Sequence, residues 1–369
     1  AEDAGLPAPL VMRSSGGVAT PVEAAEHPAT ILVSGPAAGV VGAARLAALA
    51  GIENAIAFDM GGTSTDVCLI ANGRADRASE RTIAGLPIRL PTVDLHTVGA
   101  GGGSLVWRDA GGALRVGPES AGADPGPACY GRGGTQATVT DANLLLGRLP
   151  TQLAGGVELD GDAAERALDG IDPAAVVDVV NAEMLRALRV VSVERGHDPA
   201  AFALVAYGGA GPLHACELAD ELGMVTVLVP EVAGVLSALG LVASEERRDA
   251  VRSYLVPLSE AGELPDAGEA DLRYAGQSFE LTLPLQPDLA AAFHRAHEEQ
   301  YGFAEPEREL ELVAVRTAEV RPGPELDLPR GGETTVAGPL SVELAGATCW
   351  IPPGWVGARD GRTLRLTKR

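Results

Sequence analysis

The sequence predicts an α/β fold, and three observations predict it. Two apolar runs, residues 55–58 and 67–70, flank a glycine-rich turn, which is typical of a β-hairpin. Residues 203–229 give a buried strand, a helix and a second strand, which is a βαβ unit. The chain has 369 residues and is 46% apolar, which is enough for two or three domains with substantial cores.

Composition excludes several classes of function. The formal net charge is −22 and the single lysine is Lys368, which argues against a nucleic-acid partner or an anionic membrane surface. Without an interior lysine there is no Walker A loop and no Schiff-base chemistry. The four cysteines are far apart, so neither a zinc site nor a disulfide framework is indicated.

The same features predict a soluble, cytoplasmic protein. The first residues are acidic where a signal peptide would be basic. The longest apolar stretch, residues 31–51, is interrupted by Gly35, Pro36 and Arg45. At most a short strand and a loop are predicted for residues 1–30, and a strand for residues 31–33. The Ser-Gly-Pro segment at 34–39 then predicts a turn into an apolar helix that runs to about Ala50.

The turn after residue 58 has the composition of a phosphate-binding loop. Glycine N–H groups can point into one concave spot, and neighbouring hydroxyl groups add donors. The candidate residues are Gly61, Gly62, Thr63, Ser64, Thr65 and Asp66. Asp59 would repel a phosphate unless a divalent cation lay between them, which predicts Mg²⁺ or another divalent cation beside Asp59. The alternative is an ordinary hairpin with aspartates as turn formers.

Asp94 and His96 form a second candidate site. On one strand they would project from the same face, which permits a shared metal ion or an acid/base pair; the alternative is the wet face of a half-exposed strand. The glycines of residues 99–103 imply close backbone approach to a ligand or to another helix.

The middle of the chain is predicted to contain both strands and helices. Residues 107–116 predict a hairpin, 116–131 an irregular loop, and 138–149 a turn and helix for which Asp141 is an N-cap candidate. Asp162 is the expected cap of a helix within residues 160–195. Gly208, Gly209 and Gly211 precede a helix and could bind a nucleotide, although His214 breaks the Rossmann pattern. Whether His214 faces a ligand or an interdomain surface is open.

The pattern changes near residue 251. Strands at 274–285 and 310–320 surround a helix at 289–301, and a Pro/Gly-rich linker at 322–338 precedes a last β-rich piece. The expected domains are therefore 1–250; 251–325, an α+β subdomain; and 326–369, a linker with a small β unit. The family resemblance described next implies that the first is a nucleotide-binding domain.

Several motifs resemble one family. D-M-G-G-T-S-T-D at 59–66 looks like the phosphate-binding hairpin of the actin, Hsp70 and sugar-kinase superfamily. More narrowly, the chain resembles the hydantoinase A, 5-oxoprolinase and acetone carboxylase β-subunit family. The shared motifs are S-G-P-A-A-G at 34–39, D-L-H-T-V-G-A-G-G-G-S at 94–104, V-T-D-A-N at 139–143 and G-G-A-G-P-L-H at 208–214. The resemblance implies an actin/Hsp70/ribonuclease H-like mixed sheet with flanking helices, plus smaller C-terminal α+β and β-rich units.

The resemblance also implies an activity. The chain would be a subunit of an ATP-dependent hydantoinase/5-oxoprolinase-type amidohydrolase or related carboxylase, phosphorylating a cyclic amide or carbonyl oxygen before ring opening or carboxylation. It implies ATP with Mg²⁺, Gly208, Gly209 and Gly211 at the adenosine, Asp94 and His96 at the substrate or metal end, and Asp141 as a further site candidate. The implied partner is a hydantoinase B-like or carboxylase subunit.

One feature departs from the family pattern. Members usually carry a preceding half with its own D-x-G-G-T hairpin, and this chain has one such hairpin. We therefore expect a separate chain to supply the other lobe, or the sequence to be a fragment, or activity to be lost. The alternative function is a non-catalytic nucleotide-binding or assembly subunit, and a purely structural domain would bind no nucleotide.

Overall fold

The computed structural model describes residues 8–83, 85–153, 156–325, 328 and 332–369. Contacts group the chain into two compact units: unit 1 lies within residues 1–244 and 323–369, and unit 2 is residues 245–322. Parts of the predicted N-terminal strand and loop and of the linker at 322–338 lie outside the described residues. None of the helices that the described residues form combines the length and apolar character needed to cross a bilayer.

Four described helices of unit 1 begin directly after a residue whose side chain caps them. Thr20 and Thr138 each form a capping box, and Asp160 and Asp172 each accept a hydrogen bond from a first-turn N–H. The cap of the fourth helix is therefore Asp160 and not the predicted Asp162. The helices are α1 (Pro21–Glu26), α2 (Ser34–Leu49), α3 (Val139–Leu145), α4 (Gly161–Ala167), α5 (Pro173–Val191), α6 (Gly211–Glu221) and α7 (Leu236–Ala243).

The first strands of unit 1 include the predicted hairpin and βαβ unit. The strand predicted for residues 31–33 is not formed: Ile31 ends a 3₁₀ turn at Pro28–Ile31, and residues 32–33 lead into α2. The strands are β1 (Val11–Met12), β2 (Val18–Ala19), β3 (Ala55–Met60), β4 (Thr65–Ala71), β5 (Arg74–Ala75), β6 (Arg77–Ala78), β7 (Arg81–Ile83), β8 (Leu86–Ile88), β9 (Thr92–Val93), β10 (His96–Val98), β11 (Ser104–Arg108), β12 (Leu114–Ser120), β13 (Gln152–Leu153), β14 (Val157–Glu158), β15 (Ala203–Tyr207) and β16 (Thr226–Pro230).

Unit 2 is an antiparallel sheet with one helix. Its elements are β17 (Glu246–Pro257), β18 (Glu269–Tyr274), β19 (Leu281–Pro284), α8 (Leu289–Tyr301) and β20 (Leu310–Arg321). Its strands pair in the order β17, β20, β18, β19. The helix ends at Gly302, which adopts the left-handed conformation that glycine favours. Tyr274, Phe293 and Leu312 are fully buried in its core.

Unit 1 resumes with β21 (Thr334–Ala337), β22 (Leu340–Leu344), β23 (Ala347–Ile351), β24 (Trp355–Arg359) and β25 (Thr363–Lys368). Among the described residues, its main sheet has the order β10, β4, β3, β15, β16, β25, β24, β21, with β5 beside β4. Only β3, β15 and β16 pair in parallel, so the sheet is mixed. The last strands of the sequence thus extend the sheet that carries the hairpin.

Helices cover both faces of this sheet. Gly39 of α2 approaches the Tyr207 ring so closely that a Cβ atom would lie 2.8 Å from it. Gly211 of α6 lies against Phe58 on the opposite face. Both faces of the central strands are therefore buried, which explains their continuous apolar runs.

Candidate functional site

The tip of the β3–β4 hairpin, residues 61–64, presents free backbone donors. Gly61 N donates to Ser64 O at 3.0 Å and closes the turn. The N–H groups of Gly62, Thr63 and Ser64 have no hydrogen-bond partner among the described residues, and Gly62 and Thr63 are exposed. Consecutive N–H groups of this kind form a concave site for an anion.

The glycine loop, residues 99–103, packs directly against this tip. Gly102 N donates to Gly61 O at 3.0 Å, and Gly103 N donates to Gly62 O at 2.7 Å. A Cβ atom at Gly101 would lie 2.6 Å from Gly62 C and Thr63 N, so no larger residue fits there. The predicted close backbone approach is confirmed, and the neighbour is the hairpin itself.

A cavity of about 420 Å³ opens beside these two loops. The tip, the glycine loop and the 208–211 loop all contribute to it, and so do the irregular loop after β12 and the start of α3. Leu149, Leu153 and the β22–β23 hairpin contribute as well, and the sequence did not point to them as parts of a site. Its lining is Gly61, Gly62, Thr63, Gly102, Gly103, Gly122, Ala123, Pro127, Tyr130, Thr140, Leu149, Leu153, Gly209, Ala210, Leu213, Gly346, Ala347 and Thr348. Gly61, Gly62, Thr63 and Gly209 are thus predicted binding residues that share one cavity.

The other predicted binding residues lie behind this lining. Buried Thr65 donates its hydroxyl to Ala100 O at 2.5 Å, so that group is committed to the glycine loop. Gly208 has a φ of +78°, and a Cβ atom there would lie 2.4 Å from Asp59 Oδ1. Gly211 is the first residue of α6. These residues shape the site from inside the fold.

Asp59 and Asp66 lie opposite each other on β3 and β4, with Thr97 of β10 next in line. Thr97 Oγ1 donates to Asp66 Oδ1 at 2.5 Å, while Asp59 has no donor among the described residues. Burial, and then the charge of Asp66, raise the pKa of Asp59 to about 7. Two adjacent carboxylates, one lacking any compensating positive group, fit a hydrated divalent cation.

Asp94 and His96 do not join this carboxylate pair. The strand is interrupted at Asp94, between β9 and β10. The prediction that one continuous strand places the side chains of Asp94 and His96 on the same face is therefore wrong. Asp94 instead accepts a hydrogen bond from Arg195 at 2.6 Å. His96 lies opposite Val67, so it projects from the sheet face opposite to that of Asp66. In the part of the chain that the structure describes, no three His, Cys, Asp or Glu side chains come together as a metal-binding group.

Asp141 is fully buried and holds two segments together. Its carboxylate accepts hydrogen bonds from Cys129 N at 2.7 Å, Thr138 N at 2.9 Å, Thr138 Oγ1 at 2.7 Å and Ala128 N at 3.3 Å. It is the third residue of α3, and Thr138 is the cap, in place of the predicted N-cap role for Asp141. Asp141 thereby fixes the loop that brings Pro127 and Tyr130 to the cavity.

His214 faces neither of the alternatives left open by the sequence. It is fully buried, with Nδ1 2.8 Å from Asn181 Oδ1 and Nε2 3.3 Å from Asn143 Nδ2. Asn181 Nδ2 donates to Glu217, which pairs with Arg148 through two hydrogen bonds of 2.7 and 2.9 Å. Burial, and then the charge of Arg148, lower the pKa of His214 to about 3.

Comparison with known sequences identifies the relatives of this chain. A sequence profile described as Hydantoinase/oxoprolinase matches residues 5–250. The chain is 32% identical over 445 residues to caprolactamase subunit alpha of Pseudomonas jessenii, covering 96% of this chain and 64% of that protein. It is 40% identical over 355 residues to an uncharacterised protein of Methanocaldococcus jannaschii, covering 83% of this chain and 52% of that protein. The chain thus spans roughly half to two thirds of the length of these relatives.

Solved structures with the same fold support the relationship found by sequence comparison. The ATP-dependent caprolactamase from Pseudomonas jessenii superposes with a TM-score of 0.79 and 31% identity, covering 100% of this chain and 66% of that one. A nucleotide-free acetone carboxylase superposes with a TM-score of 0.76 and 25% identity, covering 98% and 64%. These matches confirm the predicted mixed α/β fold and the predicted relationship. The chain belongs to the hydantoinase/oxoprolinase family.

Proposed function

We propose that this chain is the nucleotide-binding part of an ATP-dependent enzyme that hydrolyses a cyclic amide. The observation that supports this most is the cavity: free N–H groups of the hairpin tip lie at one side of it, and the Asp59–Asp66 pair lies next to that tip. Relatives support it as well, since a caprolactamase and a carboxylase of the same fold are described as ATP-dependent.

In this proposal the N–H groups of Gly62, Thr63 and Ser64 orient the terminal phosphates. Asp59 and Asp66 would hold Mg²⁺, which would supply positive charge to the transferred phosphoryl group. A phosphorylated carbonyl oxygen makes the adjacent amide bond susceptible to ring opening. Carboxylation of a phosphorylated substrate is the related chemistry for a carboxylase subunit.

Architecture and partners belong to the same proposal. The β3–β4 hairpin and the 208–211 loop support an actin-like, Hsp70-like arrangement, with residues 251–325 as the α+β subdomain. Residues 1–250 would form the nucleotide-binding domain, and the strands of the C-terminal unit at 326–369 would complete its sheet. The β22–β23 hairpin then adds part of the C-terminal unit to the site. We propose a hydantoinase B-like or carboxylase partner, because one relative is named caprolactamase subunit alpha. We also propose that Asp94 and His96 lie at the substrate end of the site.

Calorimetry with Mg-ATP and a phosphate-release assay test the proposal. Asp59→Asn keeps the shape of the side chain and removes its charge, so we expect the gain in ATP affinity from Mg²⁺ to fall about 10- to 100-fold. Exposed Asp169 offers the control variant Asp169→Asn, which should bind normally. Unchanged Mg²⁺ dependence in Asp59→Asn contradicts the site. Binding without phosphate release supports the non-catalytic subunit instead.

A further inference from the structure

The residues that line the cavity fall into two chemically different sets, which we call its two halves. One half is backbone: glycines of the hairpin tip and the glycine loop, with the hydroxyl of Thr140 committed to Gly102 O at 2.8 Å. The other half is apolar and comes from segments far apart in the chain. Its side chains are those of Pro127, Tyr130, Leu149, Leu153, Leu213 and Ala347. An anion suits the first half, and a flat apolar group suits the second.

The wall of the apolar half that the β22–β23 hairpin provides is firmly held. Gly234 N donates to Ala345 O and Ala345 N donates to Glu231 O, both at 3.0 Å. Ser341 Oγ donates to Arg148 O at 2.8 Å. A Cβ atom at Gly234 would lie 2.4 Å from Gly346 O, so this contact is close-packed. The cavity wall therefore exists before any ligand binds.

Two hydroxyl groups in this half have no partner among the described residues. Thr348 is 5% exposed and lines the cavity, and its Oγ1 makes no hydrogen bond. Tyr130 lines the same cavity, and its phenolic oxygen also makes none. They are the only polar side-chain groups that the lining contributes to the apolar half. Thr348 is buried and Tyr130 is half-buried, and each hydroxyl keeps its donor and its acceptor available to a ligand.

We propose that the apolar half binds a purine base, that Tyr130 packs against its ring, and that the hydroxyls of Thr348 and Tyr130 bind its polar edge. This rests on the proposed function, and it adds the residues that recognise the base. A purine is a flat heteroaromatic ring with donors and acceptors on its rim, which matches an apolar slot with two hydroxyls. The triphosphate then extends to the hairpin tip, within the same cavity.

Ligands that each fill one half of the cavity allow binding to the two halves to be measured separately. We propose calorimetry of the whole chain with adenosine, with inorganic tripolyphosphate plus Mg²⁺, and with Mg-ATP. Tyr130→Ala and Thr348→Val should each weaken adenosine about five- to tenfold, the equivalent of one lost hydrogen bond or aromatic contact. Both variants should bind tripolyphosphate like the wild type.

Conservative variants distinguish recognition from misfolding. Thr348→Ser keeps the hydroxyl and should restore adenosine affinity, and Tyr130→Phe keeps the ring and should lose less than Tyr130→Ala. Thr335→Val, at an exposed position of β21, is the matched control. Wild-type adenosine affinity in both Thr348→Val and Tyr130→Ala overturns the base site but leaves the proposed function intact. Failure of the wild type to bind both Mg-ATP and tripolyphosphate overturns the proposed function.

Discussion

Asp59 shows how one residue can be unfavourable for folding and suited to a ligand. Its pKa is about 7 in the folded chain and 3.8 in the reference state, so the fold favours the protonated form. That contribution to stability is fully present below about pH 4 and is lost as the pH rises through 7. Ionised Asp59 without a cation therefore destabilises the protein, by at most about 4 kcal/mol for a shift of this size.

We predict that Asp59→Asn stabilises the cation-free protein at about pH 8 and loses this advantage near pH 4. Asparagine has no charge to desolvate, so only the alkaline penalty of the wild type is removed. Urea unfolding in a chelator at both pH values measures the difference. An equal effect of the substitution at both pH values would contradict the assigned pKa.

In contrast to Asp59, Asp141 is a buried carboxylate that accepts several hydrogen bonds. Replacing it with alanine leaves the N–H groups of Ala128, Cys129 and Thr138 without their acceptor. We predict that Asp141→Ala lowers the free energy of unfolding by about 3–5 kcal/mol, the usual cost of leaving buried partners unpaired. Chemical denaturation checks this, with Asp162→Ala at an exposed position of α4 as control. A loss below about 1 kcal/mol would show that the loop does not depend on Asp141.

At the scale of elements, the glycine loop explains why a run of glycines follows β10. Gly101 meets the backbone of the hairpin tip, and Gly102 and Gly103 donate hydrogen bonds to it. The loop and the tip are therefore one structural element built from two segments. Sequence pattern predicts the close approach, but not which backbone is approached.

We predict that Gly101→Ala destabilises unit 1 by about 2 kcal/mol or more and weakens ATP binding, because its methyl group would overlap the backbone at Gly62 and Thr63. Gly161→Ala in the first turn of α4 is the matched control, since a Cβ atom there has no neighbour within 4 Å. Thermal unfolding and calorimetry report both effects. Equal stability and ATP affinity of the two variants would mean that the glycine loop can shift to accommodate the methyl group.

The polar network of His214 joins α3, α5 and α6 through Asn143, Asn181 and Glu217. Its pKa of about 3 lies below the reference value of 6.5, so the fold favours neutral histidine. This contribution is present above about pH 6.5 and is lost as the pH falls towards 3.

The two titrations oppose each other between about pH 4 and 6.5, because acidification favours folded Asp59 and disfavours folded His214. We predict that Asp59→Asn makes the stability fall more steeply on acidification, by up to about 1.4 kcal/mol per pH unit. His214→Gln should make it flatter than in the wild type. Unfolding curves across this range measure both slopes, and parallel slopes in all three proteins would contradict the paired assignment.

At the scale of the whole chain, the C-terminal strands complete unit 1. β25 pairs with β16, and its residues Leu364 and Leu366 are fully buried. Trp355 of β24 is 1% exposed and donates its indole N–H to Asp220 of α6 at 3.2 Å. The main sheet and the cavity therefore both depend on residues that follow unit 2 in the sequence.

We predict that Leu366→Ala lowers the stability of unit 1 by about 2–4 kcal/mol, since it leaves a cavity in the core. Arg365→Ala, at an exposed position of the same strand, should change it by less than about 0.5 kcal/mol. Denaturation of the whole chain gives both values. Equal effects would place β25 outside the cooperative core.

The sequence by itself determined the parts of this protein that neighbouring residues specify. Apolar runs, caps and glycines predict the β3–β4 hairpin, the βαβ unit of β15, α6 and β16, and α8, because strand and helix periodicities and turn conformations are local properties. The family motifs led to the proposal that ATP binds with its phosphates at the hairpin tip. The same local information predicted Asp94 and His96 on one strand. It did not predict the hydrogen bond from Arg195 to Asp94, because Arg195 lies far away in the sequence.

Only the tertiary structure decided which distant segments meet. It brought Gly346, Ala347 and Thr348 to the cavity, made Asp141 the anchor of the Tyr130 loop, and separated His96 from Asp59. The physical reason is that such meetings depend on the burial of apolar surface and on hydrogen bonds across the whole fold. No short stretch of residues carries that information.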